Sequence, residues 1–326
     1  MTGIKQQLLS MVLDDLDRIE TALESNLTPH LELVRKAAGH LMFAGGKRLR
    51  PLLIVLSARI CGHEIPFVTK FASIFEFLHT ATLLHDDVID GATMRRGKPV
   101  ANAVFGPSVT VLTGDFLLAR ALRIAAESES LRIIEVVSAM TEEISQGEIH
   151  QLIRKGDVSI TEDEYMDVIR RKTGVLIQGA CKTGAILAGA SSEAENALTQ
   201  YGDHLGLVFQ IADDILDYTA DTDELGKIVG ADLREGKLTL PVIHALKAAT
   251  ATDRQRMEAI VANPDFTTEE FAELQGLLHR YGGIEYAKTV ASDHVKAAKK
   301  SLEMFEPSET KTILSLMADY ALDRRA

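Results

Sequence analysis

Phe77-Leu-His-Thr-Ala-Thr-Leu-Leu-His-Asp-Asp-Val-Ile-Asp90 is an apolar run, hydrophobic on every side, that stops in three carboxylates. A helix this apolar belongs at the centre of a bundle. On such a helix Asp86 and Asp90 stand at i and i+4, one turn apart on the same face. Carboxylates packed this closely repel one another and resist desolvation, so a cation is expected among them. A second copy follows about 127 residues later, Gln210-Ile-Ala-Asp-Asp-Ile-Leu-Asp217, with Asp213 and Asp217 at the same spacing. Facing helices of a bundle can point both sets into one cavity.

Working outward, residues 4–25 carry Ile4, Leu8, Met11, Val12, Leu16, Ile19 and Leu23 at helical spacing, and a second helix is expected from Pro29 to Phe43. Gly45-Gly-Lys-Arg-Leu-Arg-Pro51 is a glycine turn with three cations, closed by a proline suited to a first helical turn. Helix 51–60 ends at Cys61-Gly62, and Pro66 opens the helix that finishes at the first Asp cluster. Gly91-Ala-Thr-Met-Arg-Arg-Gly-Lys-Pro99 is a second basic glycine loop. Helices are expected at 107–127 and 131–154. The capping pattern Thr161-Glu-Asp-Glu164 starts one that runs to about 188, and Ser192-Glu-Ala-Glu195 opens the helix bearing the second Asp cluster. A third Gly/Lys-rich segment spans 226–241, Thr267-Thr-Glu-Glu270 caps a late helix, and Pro307-Ser308 precedes the last. Neither strict alternation nor a hairpin dipeptide is present. The reading is an all-α, single-domain antiparallel helix bundle over 1–326, built around a central cavity.

Composition limits the alternatives. Of 326 residues, 46% are hydrophobic and 25% charged, as in a soluble protein with an ample core. A net charge of -12 argues against nucleic acid as a partner. Cys61 and Cys181, far apart and outside any CxxC, read as free thiols in a reducing compartment. The amino terminus lacks a signal-peptide layout, and no charge-free run reaches membrane-spanning length. A cytoplasmic protein is expected.

The chemistry follows from the charges. Mg²⁺ prefers octahedral oxygen coordination and typically takes one or two carboxylates together with substrate phosphate oxygens. Two Asp clusters across a cavity thus form an incomplete cage that a polyphosphate would complete. In an acidic protein, basic residues gathered in glycine loops need a local anion. Lys47, Arg50, Arg95 and Arg96 supply point-charge and fork-shaped donors for phosphate, and Lys172, Lys227 and Lys237 extend the set. Metals and cations around a diphosphate stabilise a departing pyrophosphate by charge neutralisation. His79, two turns before Asp86, is either a buried hydrogen-bonded histidine or part of this site, and His85 reads as a supporting residue.

These stretches, in this order, resemble the trans-isoprenyl diphosphate synthases, most closely the bacterial long-chain, octaprenyl-type members. The carriers are Gly45–Pro51, Leu83–Asp90, Arg95-Arg-Gly97, Lys172-Thr-Gly174, Gln210–Asp217 and Gly226-Lys227 through Pro241. The resemblance implies an isoprenoid-synthase-type helix bundle, usually a homodimer. It implies elongation of an allylic diphosphate (geranyl or farnesyl type) by repeated head-to-tail condensation with isopentenyl diphosphate. By matching position, Asp86, Asp90 and Asp213 would bind Mg²⁺, about three ions per site, supported by Asp87, Asp214 and Asp217. Gly46, Lys47, Arg50, His79 and Arg96 would hold isopentenyl diphosphate. Arg95, Lys172, Thr173, Gln210, Lys227 and Lys237 would hold the allylic diphosphate. In the implied mechanism the metals draw off pyrophosphate, the isopentenyl double bond attacks the allylic cation, and a proton is lost to the released pyrophosphate.

The growing chain should run down the apolar helix away from Asp86, past Ala81 and Thr82, then Phe77 and Leu78, then Ile74 and Phe75. In short-chain members an aromatic near Ala81 or Thr82 blocks the path; both are small here, so a product longer than farnesyl, able to partition into membrane, is expected. Phe77, Ile133, Ile134 and Val137 are candidates for the tunnel floor. A terpene synthase would not need the Gly46-Lys47/Arg50 loop and Arg96. A non-catalytic subunit of a heteromeric synthase would be expected to lose one Asp cluster. A carboxylate di-iron bundle needs two Glu-x-x-His pairs, and only Glu76–His79 has that spacing.

Overall fold

A computed structural model describes residues 2–63, 66–95, 98–219 and 230–323. The first half contains α1 (Thr2–Asn26), α2 (Glu32–Met42), α3 (Leu49–Ile60), α4 (Pro66–Ile89), α5 (Ala101–Phe105), α6 (Pro107–Ala126) and α7 (Leu131–Ile153). The second contains α8 (Glu162–Ile169), α9 (Val175–Leu187), α10 (Ser192–Thr219), α11 (Ala231–Arg234), α12 (Leu240–Ala248), α13 (Ala251–Val261), α14 (Thr268–Arg280), α15 (Gly283–Ser301) and α16 (Glu309–Asp323). The protein is all-α; the strand pairing among the described residues is a two-residue ladder, Met94–Arg95 against Lys98–Pro99, in the second basic loop. No described helix is long and apolar enough to cross a membrane.

The chain divides into two compact units built from interleaved segments. One comprises Met1–Thr141, Leu176–Gly202 and Ser301–Met317; the other comprises Glu142–Val175, Asp203–Lys300 and Ala318–Ala326. In the first unit α4 is central and packs against α1, α2, α3 and α6. That explains a helix apolar on all sides: Phe71, Ile74, Phe75 and Phe77 have no exposed surface. Each such side chain contributes about 1.5–3 kcal/mol by leaving water. Glu76 is the charged exception inside this run, and Arg48 neutralises it.

The core of the second unit joins Tyr165 and Ile169 of α8, Leu207, Ile211 and Ile215 of α10, and apolar residues of α12 to α15. Two predicted capping boxes form as expected: Thr161 with Glu164, and Thr267 with Glu270. At α10 the cap is one residue earlier than predicted, since Ser191 Oγ accepts the Ala194 N–H at 3.3 Å and Ser192 is already helical. The second helix starts at Glu32 instead of Pro29. The largest departure lies between 161 and 188, where one helix was expected. Arg170–Gly174 forms a π-helical turn between α8 and α9. The turn sits at a tight crossing: a Cβ on Gly206 of α10 would lie 2.6 Å from the Gly174 Cα.

Candidate active site

The first basic loop divides its three cations between two roles. Arg48 is buried in the left-handed region (φ 47°), which a non-glycine residue adopts only when its surroundings demand it. Its guanidinium donates to Glu20 Oε1 at 2.6 Å, Glu76 Oε2 at 3.2 Å and the Met42 carbonyl at 2.9 Å. It is therefore a structural clamp that neutralises the carboxylate inside α4. Gly46 and Lys47 are exposed on the same loop. Arg50, in the first turn of α3, keeps Nε buried without a hydrogen-bond partner. Burial depresses its pKa, with Glu76 opposing. A buried guanidinium donor left open is what an anionic ligand would satisfy.

At the end of α4 the neighbouring aspartates separate by side. Asp86 is half-buried and Asp90 exposed, on one helix face, with half-buried His79 two turns earlier. Asp87 points the other way and is 1% exposed. Its Oδ1 accepts from Arg95 Nε at 2.9 Å and lies 2.8 Å from Nη2, while Oδ2 is buried without a partner. Asp87 thus fixes Arg95, whose remaining N–H donors are left for another acceptor. Phe77 and Ala81 are buried on α4, Thr82 is half-buried, and the candidate floor residues Ile133 and Val137 of α7 are buried, with Ile134 partly so.

The second cluster repeats this division. Asp213 is exposed and Asp214 is 2% exposed. Asp214 Oδ2 accepts from the Tyr165 hydroxyl at 2.6 Å, and Oδ1 accepts from Gln210 Nε2 at 2.7 Å. Gln210 Oε1 in turn accepts from the Thr173 hydroxyl at 2.8 Å. Asp217 accepts the backbone N–H groups of Ala231 and Asp232, both at 3.1 Å, and so anchors the start of α11. Burial, followed by the nearby Asp232 charge, raises the Asp214 pKa well above the ordinary carboxylate range. Burial and then the charge of Asp217 push Asp232 up to about 7, against the pull of Lys237.

The π-helical turn presents Lys172 and Thr173. Lys172 Nζ lies 2.7 Å from Glu148 Oε1 and donates to Gln151 Oε1 at 2.9 Å, both on α7. Lys237 pairs with Glu235. Of the predicted site residues, Gly46, Lys47, Arg50, His79, Asp86, Asp87, Asp90 and Arg95 lie in the first unit. Lys172, Thr173, Gln210, Asp213, Asp214, Asp217 and Lys237 lie in the second. Arg96 and Lys227 fall outside the described residues. Sequence reasoning missed Glu148, Gln151, Tyr165 and Asp232. A polar Glu148-x-x-Gln151 pair in an otherwise amphipathic helix is a signal for the first two; a single tyrosine after a capping box is none.

Among the described residues no three His, Cys, Asp or Glu side chains converge closely enough to hold a metal alone. Mg²⁺ takes one or two carboxylates and completes its octahedron with water and substrate oxygens, so it does not require such a group. In the second unit the raised carboxylate pKa values beside Asp213, and in the first the open buried acceptor on Asp87, each suit a nearby cation.

A model of the family "Polyprenyl synthetase" matches residues 31–278. The chain belongs to the polyprenyl synthetase family. The octaprenyl diphosphate synthase of Escherichia coli (strain K12) is 37% identical to it over 321 residues, 98% of each chain. A short chain isoprenyl diphosphate synthase of Methanothermobacter thermautotrophicus is 38% identical, over 94% of each chain. The fold matches the crystal structure of a polyprenyl synthase from Caulobacter crescentus CB15 complexed with calcium and isoprenyl diphosphate. That match has a TM-score of 0.92 at 36% identity, covering 98% of both chains. Prenyltransferase activity is thus the activity of this polyprenyl synthetase.

Proposed function

We infer that the chain is a single synthase domain that elongates an allylic diphosphate by successive head-to-tail condensations with isopentenyl diphosphate, releasing a long-chain all-trans polyprenyl diphosphate. The observation that carries the reading is the shared build of the two Asp clusters. In each, the first carboxylate is the more exposed while its neighbour is buried and hydrogen-bonded to a group assigned here to the allylic diphosphate, Arg95 in one and Gln210 in the other. Asp86, Asp90 and Asp213 are assigned to Mg²⁺, which when bound neutralises the charge of the departing pyrophosphate. Arg95, Lys172, Thr173, Gln210, Lys227 and Lys237 orient the allylic diphosphate. Gly46, Lys47, Arg50, His79 and Arg96 hold isopentenyl diphosphate, and the open Nε of Arg50 supports that assignment. Lys172 must exchange its bonds to Glu148 and Gln151 for phosphate oxygens, so its charge is held ready close to the site. Retention of both clusters speaks against a non-catalytic subunit. We assign the protein to the cytoplasm and to a homodimer by family likeness.

A shorter product is the second reading, favoured by the equal similarity to the Methanothermobacter short chain synthase. Ala81 and Thr82 favour the long one. The test incubates the protein with isopentenyl diphosphate, farnesyl diphosphate and Mg²⁺ and separates the products by chain length. Products beyond geranylgeranyl are expected for wild type, and Ala81→Phe should shorten them to the farnesyl or geranylgeranyl range. An unchanged longest product in that variant would refute the path along α4.

A further inference from the structure

We propose that Tyr165 is a positioning residue for the allylic half of the site, an assignment that rests on the function inferred above. Tyr165 is 3% exposed and lies on α8, within the family match but outside the motif stretches quoted for it. Its hydroxyl donates to Asp214 Oδ2 at 2.6 Å, short for a phenol and typical of a charge-assisted bond. The bond is the first link of a continuous series: Tyr165 to Asp214, Gln210 to Asp214, Thr173 to Gln210.

Gln210 turns its NH₂ toward Asp214 Oδ1 and its carbonyl oxygen toward the Thr173 hydroxyl. That leaves the second N–H of the Gln210 amide as the donor available beyond the network, and it fixes the side from which Thr173 is held. Both residues sit on the elements that the π-helical turn and the Gly174–Gly206 crossing bring together. Without the phenol, Asp214 keeps one hydrogen-bonded oxygen and can rotate, and the rotation carries Gln210 with it. Tyr165 therefore sets the orientation of two groups assigned to the allylic diphosphate, without touching the substrate.

The test is Tyr165→Phe in the full chain, with Michaelis constants measured separately for farnesyl diphosphate and isopentenyl diphosphate, and with a Mg²⁺ titration. The allylic KM is expected to rise about ten-fold, equivalent to about 1.4 kcal/mol. The Mg²⁺ needed for half-maximal rate should rise with it, while the isopentenyl KM stays within about two-fold. A purely structural tyrosine would depress kcat for both substrates together. Equal effects on the two KM values, or none, overturn the proposal while leaving the prenyltransferase reading intact. Failure of the wild-type protein to condense the two diphosphates removes that reading instead. Should Y165F not fold, as judged by circular dichroism, Asp214→Asn takes its place. It keeps the tyrosine and the side-chain volume, and an unmoved allylic KM there is equally fatal.

Discussion

At the scale of single residues, Lys47 and Arg48 show how neighbours of one charge divide between chemistry and structure. In sequence they are equivalent cations in Gly45–Pro51. In the fold, Arg48 is buried against Glu20 and Glu76, and Lys47 is exposed. Removing one partner of a buried ion pair leaves the other uncompensated and costs about 3–5 kcal/mol. Arg48→Ala is therefore expected to lower the thermal midpoint by several degrees, and Arg48→Lys to recover only part because it lacks the fork. Lys47→Ala should leave stability within about 0.5 kcal/mol and raise the isopentenyl KM. Thermal melts and kinetics on the two variants check both halves; a destabilised Lys47→Ala or a stable Arg48→Ala reverses the assignment.

At the scale of elements, most of the architecture could be read from period and caps. The apolar α4, the boxes at Thr161 and Thr267, and the breaks at Gly62 and Tyr281–Gly283 all appear where the residues place them. The π-helical turn could not be read, because Arg170, Arg171 and Lys172 continue a helical pattern and the close crossing lies on another helix. The paired substitutions Gly206→Ala and Gly276→Ala separate packing from propensity. The added methyl at 206 would meet backbone at 2.6 Å, whereas at 276, exposed on α14, nothing lies within 4 Å. Gly206→Ala is expected to cost about 1–3 kcal/mol and to reduce activity beyond that loss by shifting Lys172 and Thr173. Gly276→Ala should stabilise by about 0.4–1 kcal/mol with activity unchanged. Urea unfolding midpoints and initial rates test both; wild-type behaviour of Gly206→Ala would show that the crossing does not set the turn.

At the scale of the whole molecule, the acidic balance couples folding to pH and to divalent cations. The usual Asp pKa of 3.8 applies to Asp232 in the unfolded chain, against about 7 in the fold. Between these values the unfolded chain has released a proton that the folded protein still holds, so stability falls as pH rises through the window. Above about 7 both states are ionised and the loss is complete. His204 and His294, whose Nδ1 atoms lie 2.9 Å apart, work in the opposite direction, since burial lowers both pKa values and stability falls as pH drops below 6.5. The two effects overlap, so total stability against pH does not separate them. The difference between Asp232→Asn and wild type does, because the histidine contribution is common to both. That difference, from urea midpoints in EDTA, is expected to be small near pH 4 and to grow in favour of Asp232→Asn up to about pH 7. Relief of Asp214, which the Asp232 charge also pushes up, has the same sign. Mg²⁺ with pyrophosphate stabilises whichever state binds it, by mass action. Added at pH 8, the pair should raise the wild-type midpoint more than that of Asp232→Asn and so narrow the gap. A pH-independent difference between the two proteins would mean that Asp232 does not retain its proton on folding.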